Sequence, residues 1–579
     1  KAGEGRYDYS NKSITTSSSS LTPTSAVFAI DASALSKIQA GNIYLIATKQ
    51  GVGVNMEAEI LASSTVNIAA NGDVYYSNIS AGDTANLTST ATIQTVDSNS
   101  TISAPSLTIQ ASEFRNLGST SANNLNIQNS DILTNLGSIE ALAVNLSNIT
   151  NIDNQGSIFG QNSLSISGTD LTNSLSQSYN SSGSSIISPA TIYSPVDYSI
   201  TLTGLLTNSG LINSAGNLTI NSNQLINNVY QSDSSSTPEI SAKNNLTLNI
   251  TDSATNSGNL IATNNLVVTA NSLTNSNQIQ SSGSSIFNLA SLSNNQSSSI
   301  YSDTTLILNF SSALNLSSDF TNSGSISSRS DLTVTGSANI TNSSKILSNS
   351  DINIAANSLT NNSDSLVSSL TKSLTLALTG SLQNDGDLNA VNDLVISANS
   401  FNNSGNILSG TISQTKQDNS DEVITKILSL GNLSITSIDS FTNSGNLQST
   451  KNSRLTSGTF TNSGNILSYA NVSVTSSGFT NSASIGSYND LTISAINLTN
   501  SSEILASSSL TINSTSIDNN SSSSVLASIN QDLNLNITDF LTNFGTIFAK
   551  TDLTLGSGNQ LNSFNNSGSI SFNKLANSN

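Results

Sequence analysis

The chain has 579 residues, 9% of them charged and 35% hydrophobic, with a formal charge of −19 and a pI near 4.1. An acidic balance of this size without any Lys/Arg cluster argues against phosphate backbones and anionic membrane surfaces, so no nucleic-acid partner is expected. Cys and His are both absent, which removes disulfides, thiol nucleophiles, thiolate metal sites and the commonest general base and metal ligand; no cofactor and no metal site are expected.

The first residues, KAGEGRYDYS, carry no basic-then-apolar leader, so an export signal is expected upstream or already removed. No run of about 18 apolar residues follows that could span a bilayer as a helix. From Asn116 a phrase of about eight residues begins to return every nineteen positions, through Asn135, Asn154 and Asn173. A short period sustained over hundreds of residues means a stacked architecture with one structural unit per repeat. Residues 1–100 are read as the first coils and 101–579 as the repeat shaft.

Three interruptions mark insertions near 176–200, 229–243 and 410–428: Asn173 to Asn208 is 35 residues, Asn227 to Asn256 is 29, and Asn403 to Asn443 is 40. A gap near forty is compatible with two coils, the middle one degenerate. A gap near 29 is better explained as one coil plus a protruding loop. Tyr179, Tyr193, Tyr198 and Tyr230 fall in or beside the first two insertions. Stacking could bring them onto one region as a ligand-binding patch, since a flat ring can pack on a sugar or anchor a protein; packing of the loops onto the shaft is the competing role.

The period is clearest toward the C-terminus, at Asn443, Asn462, Asn481, Asn500 and Asn519. Phe460 and Asn462 alternate with Thr461, the period-2 signature of a strand with one buried face. Ser463-Gly464-Asn465 is read as a turn, because Gly and Asn accept positive φ. Ile466 resumes the inward pattern, and Val472-Ser473-Val474 forms a further strand. Nineteen residues accommodate two or three short strands, not an ordinary helix. The expected fold is therefore all-β, a parallel β-solenoid whose coils stack about 4.8 Å apart. Roughly 25 coils would make a rod on the order of 120 Å long. Phe441, Phe460 and Phe479 would stack inside it, continued by Leu498 and Ile517, with the Asn series as an inward hydrogen-bonded ladder. A role for Asn as turn former alone is the alternative. Tyr469 and Tyr488, also nineteen apart, are read as an outer ladder.

Some β-helices are carbohydrate-cleaving enzymes, which need paired carboxylates or a carboxylate-bound Ca²⁺ beside a base. Asp385, Asp387 and Asp393 form one acidic group, and Asp418, Asp421 and Glu422, beside Lys416 and Lys426, another. Both are read as solvated turns, and the chain as no enzyme. The last residues still follow the repeat without a cap, so the chain is expected to be a section of something longer.

Residues 27–55, VFAIDASALSKIQAGNIYLIATKQGVGVN, resemble the segment after the secretion domain of filamentous haemagglutinin-type exoproteins, "AIDAS.LG…AG.I.LI.TE.GVGV". The phrase L-x-N-x-G-x-I followed by L-T-I resembles that family's haemagglutinin repeats over 114–570. The resemblance implies a right-handed parallel β-helix on a Gram-negative cell surface, exported by two-partner secretion through an outer-membrane β-barrel transporter. It implies a secreted adhesin shaft contacting host or bacterial cells through an unknown cell-surface receptor, glycan or protein. Alternatives are the stalk of a contact-dependent growth inhibition exoprotein with a C-terminal toxin, or a structural filament subunit. Two departures stand out: the Asn-Pro motifs of the family's secretion domain are missing, and Asn and Ser replace many turn glycines.

Overall fold

The computed structural model describes residues 6–8, 13–15, 27–33, 35–179, 185–229, 237–311, 318–416, 423–556 and 561–578, the side chains of 6–8, 13–15, 177–179, 185–186, 414–416, 423–425 and 575–578 excepted. Among these residues there is no helix, and every regular element is a β-strand. Two compact units, Lys1–Gly283 and Ser284–Asn579, are each a parallel β-solenoid. Together they hold about 25 coils with a repeat near 20 residues.

In the first unit three successive coils are almost entirely strand: Ser119–Asn135, Ser138–Asn154 and Ser157–Asn173. They pair in parallel, with Asn135 opposite Asn154 and Asn154 opposite Asn173. A strand this long must bend to close a coil. It does so at Asn129 and Asn148, with φ of 52° and 56°, a left-handed conformation that Asn tolerates better than other residues with a Cβ. The two bends are joined by a 2.7 Å bond from Asn148 Nδ2 to Asn129 Oδ1.

In the second unit a typical coil is a ten-residue strand followed by a short one, as in Ser453–Asn462 with Asn465–Ser468 and Val472–Asn481 with Ile485–Ser487. Along Ser453–Asn462 the inward residues are Ser453, Leu455 and Ser457, then Phe460 and Asn462. The alternation slips at Gly458-Thr459, where the chain turns a corner. Register carries Phe441 onto Phe460, Phe479, Leu498 and Ile517. The rings of Phe401, Phe441, Phe460 and Phe479 stack 4.6–4.8 Å apart and within 4° of parallel. Each buried apolar side chain of this size contributes roughly 1.5–3 kcal/mol, so the coil's few inward residues carry most of its stability.

The turn at 463–465 is built differently from expectation. Among the described glycines positive φ is confined to Gly51, Gly336, Gly410 and Gly556. Gly464 is small for another reason: a Cβ there would lie 2.0 Å from the carbonyl oxygen of Gly445, and one on Gly445 equally close to that of Gly405. Close approach of successive coils, not left-handed backbone, selects the residue.

The long gaps are insertions within single coils. Leu175–Tyr179 and Ser185–Pro189 form an antiparallel hairpin, and Thr411–Lys416 with Val423–Ser429 forms another. The degenerate middle coil considered for the gap of forty does not exist, because Asn403 bonds directly to Asn443 at 2.8 Å. Parts of the expected insertions belong to the shaft: Thr191–Ser194 and Glu239–Ala242 are strands paired in register with Leu211–Ser214.

Candidate binding surface

Inside each unit the recurring Asn is buried, the last of the column, Asn566, excepted, and hydrogen-bonded from coil to coil. Asn443 Nδ2 donates to Asn462 Oδ1, and Asn462 Nδ2 to Asn481 Oδ1, each at 2.8 Å. Asn481 continues to Asn500 and Asn500 to Asn519, each at 2.9 Å. In the first unit the same column starts at Asn116, which donates to Asn135 at 2.8 Å. Many of these amides also donate to the carbonyl two residues on, as Asn443 does to Gly445 at 3.3 Å. A buried primary amide thereby satisfies its turn and its neighbour together.

Of the four tyrosines expected to form a patch, the two whose side chains are described, Tyr193 and Tyr198, do not share a surface. Tyr230 and the Tyr179 side chain lie outside the described residues. Tyr193 is half-buried on the outward side of its strand, stacked on Phe159 with centroids 5.6 Å apart. Tyr198 is a core residue, 6% exposed, with its hydroxyl 3.4 Å from the Ile192 carbonyl; burial pushes its phenol pKa up. The strand Tyr198–Leu202 stands in register with Leu218 and Leu246, so Tyr198 occupies the inward leucine position of the repeat.

A different aromatic pair is open to solvent. Tyr469 and Tyr488 follow the short strands Asn465–Ser468 and Ile485–Ser487 and stack with centroids 4.9 Å apart and planes 15° from parallel. Tyr488 is 54% exposed. The same corner carries Thr450 one coil earlier and Ser507 one coil later, then Ile529.

Beside that corner runs a second column, missed in the sequence although Asn452, Asn471 and Asp490 also stand nineteen apart. Each side-chain oxygen accepts the backbone N–H of the next coil: Asn452 from Asn471 at 3.3 Å, Asn471 from Asp490 at 3.1 Å, and Asp490 from Ser509 at 3.1 Å. The first unit has its counterpart in Asp197, Asn217 and Asn245. The bond from the Asn217 N–H, with help from its Nδ2, holds the Asp197 carboxyl below the usual range. Asp303 is held low by the Tyr301 hydroxyl and then by Arg329, and Asp532 by the Thr551 hydroxyl and the Asp552 N–H.

The acidic groups singled out in the sequence serve the same ends. Asp385 accepts from Gln383 and Ser404, Asp387 from Asn406 at 2.9 Å, and Asp393 from the backbone and side chain of Asn432 at 2.8 and 2.9 Å. Asp418, Asp421 and Glu422 lie outside the described residues, as does the Lys416 side chain. Among the described residues no three His, Cys, Asp or Glu side chains gather as metal ligands, and no helix is long and apolar enough to cross a membrane.

Seven overlapping stretches, residues 160–249, 240–313, 290–386, 369–421, 419–483, 470–528 and 521–573, match the family described as haemagglutinin repeat. No curated protein and no solved structure matches the chain.

Proposed function

Because the chain belongs to the haemagglutinin-repeat family, we propose that it is the shaft of a secreted, surface-displayed adhesin that reaches from a Gram-negative cell toward host or bacterial cells. The observation that carries this reading is how the polar chemistry is used. Buried amides, corner carboxylates and stacked rings bond coil to coil, which is what a long spacer needs. The same use of carboxylates supports a non-enzymatic role. Export would run through an outer-membrane β-barrel partner, with the receptor at a cell surface.

The test is a strain lacking the gene compared with its parent. The parent binds antibody to the shaft on intact cells, and that binding disappears with the partner barrel. Adherence to host cells or to neighbouring bacteria falls in the deletion strain. A shaft found only inside intact cells, or unchanged adherence to both cell types, overturns the reading.

A further inference from the structure

We infer that the corner of the second unit between Tyr488 and Ile529 is a binding slot for a pyranose ring. The Tyr469–Tyr488 stack stops abruptly, because the next coil places Ser507 where a third tyrosine would stand. The Ser487 carbonyl accepts the Ser507 N–H at 2.8 Å, and the Ala506 carbonyl accepts the Ile529 N–H at 2.9 Å. These bonds fix the order Tyr488, Ser507, Ile529 along one column. Tyr488 and Ile529 are thus two strand spacings apart, about 9–10 Å, across a small side chain. The gap admits one flat layer, with the free face of Tyr488 as one wall and the exposed side chain of Ile529 as the other.

The rim decides the chemistry of the occupant. Asn489, Ser507, Ser508 and Asn530 surround the gap, and none of their side chains makes a hydrogen bond among the described residues. They supply both donors and acceptors. A pyranose matches this combination: its C–H face lies on the tyrosine ring and its equatorial hydroxyls reach the amides and serines. An aromatic side chain of a protein would fill the slot and leave the rim unused. The flanking charges are of both signs, the Asp490 carboxylate after the Tyr488 corner and Lys550 in the coil after Ile529, where its N–H bonds to the Ser528 carbonyl at 3.2 Å, so the hydroxyl-matching rim and not net charge selects the occupant.

The slot deepens the adhesin reading by giving the receptor a chemical class, and its position outside a cell rests on that reading. Its test does not. Saturation-transfer NMR on the purified chain would use methyl β-galactopyranoside, methyl β-glucopyranoside and methyl α-mannopyranoside as probes. Transfer to ring C–H protons of at least one sugar is expected. It falls at least fivefold in Tyr488→Ala and in Ser507→Tyr, which fills the gap by extending the stack, and persists in Tyr488→Phe. No transfer from the native chain with any of the three sugars overturns the proposal. So does unchanged transfer in Ser507→Tyr, or transfer only to a tyrosine-containing peptide. A negative result leaves the shaft role standing, since that role is read from cells.

Discussion

Asn443 hands a hydrogen bond forward to Asn462, and every amide seen in the column hands it in the same direction. In the first unit the chain of bonds runs from Asn116 through Asn135 and Asn154 to Asn173; in the second it ends at Asn543 donating to Asn566 at 2.7 Å. The first oxygen, on Asn116, accepts from the Thr120 hydroxyl at 3.2 Å, and the last amide, on Asn566, donates to the Gly568 carbonyl at 3.3 Å. Aligned bonds of this kind polarise one another, so a break is felt beyond the residue changed.

The one-way order makes a prediction about two substitutions at one position. Asn462→Ala leaves the Asn481 oxygen buried without a donor, while Asn443 retains Gly445; a loss of about 1–3 kcal/mol is expected. Asn462→Asp keeps the shape and still accepts from Asn443, yet sets a carboxylate oxygen against the oxygen of Asn481. An uncompensated buried charge raises the loss to about 3–5 kcal/mol. Denaturant unfolding at pH 7 checks the order. An aspartate variant as stable as the alanine one would contradict it.

Gly464 and Gly478 separate close approach from turn propensity. Open space surrounds a Cβ on Gly478, whereas one on Gly464 meets the Gly445 carbonyl. Ala483 already occupies the equivalent position in the next coil, and there the short strand starts later, at Ile485. Gly464→Ala should follow that precedent and lose a rung, at about 1–2 kcal/mol. Gly478→Ala should be neutral or stabilise by up to about 1 kcal/mol through the unfolded chain. Thermal unfolding of the two variants, with hydrogen exchange at residues 463–468, reads both effects.

Acid should weaken the corner at Asp532. Its carboxyl is held low by the Thr551 hydroxyl and the Asp552 N–H, so the unfolded chain binds its proton at higher pH than the folded one does. The resulting stability is present in full above the unfolded value, near 3.9, and is lost as pH falls through the depressed folded value. Asn at this position still accepts both bonds and does not titrate. The difference in melting temperature between native chain and Asp532→Asn should therefore shift in favour of the variant between pH 5 and about 2.5. A pH-independent difference would show that the carboxylate charge has no part in the corner.

How much of this was legible in the sequence depends on whether a residue's role shows in its spacing. The Phe and Asn columns did show, because Asn462 repeats without change of residue type and Phe460 repeats as Phe or as another large apolar residue, Leu498 and Ile517. Tyr198 did not. A tyrosine three residues after Pro195, inside an interruption of the period, reads as a loop, and only the register with Leu218 and Leu246 reveals it as an inward position. The outer column escaped because Asn452, Asn471 and Asp490 exchange amide for carboxylate and are followed by Ser509, so period survives while identity drifts. Gly464 was recognised as a turn residue for the wrong reason, since residue type alone does not distinguish positive φ from a carbonyl 2.0 Å from where a Cβ would be.

The hairpin Thr411–Ser429 should be removable without disturbing the coil that carries it. It leaves at Gly410 and returns at Gly431, whose Cβ position would be only 2.4 Å from the Gly410 nitrogen, so the two ends already adjoin. Gly431 also lies in the place that Lys451 takes in the next coil, where the Lys451 N–H bonds to the Gly431 carbonyl at 3.0 Å. Joining Gly410 to Gly431 restores a coil of ordinary length and leaves the Asn403–Asn443 bond intact. What is lost is a two-stranded element of marginal stability on its own, the exposed Leu428 and Leu430, and two bonds of Ser429, from its hydroxyl to the Val391 carbonyl and to its carbonyl from the Thr450 hydroxyl, each at 2.7 Å. Deletion of residues 411–430 should shift the melting temperature by less than about 3 °C and leave the strand content of the shaft unchanged by circular dichroism. A cooperative loss of structure would instead mean that the hairpin holds its coil closed, and that the interruption in the period is part of the shaft's own support.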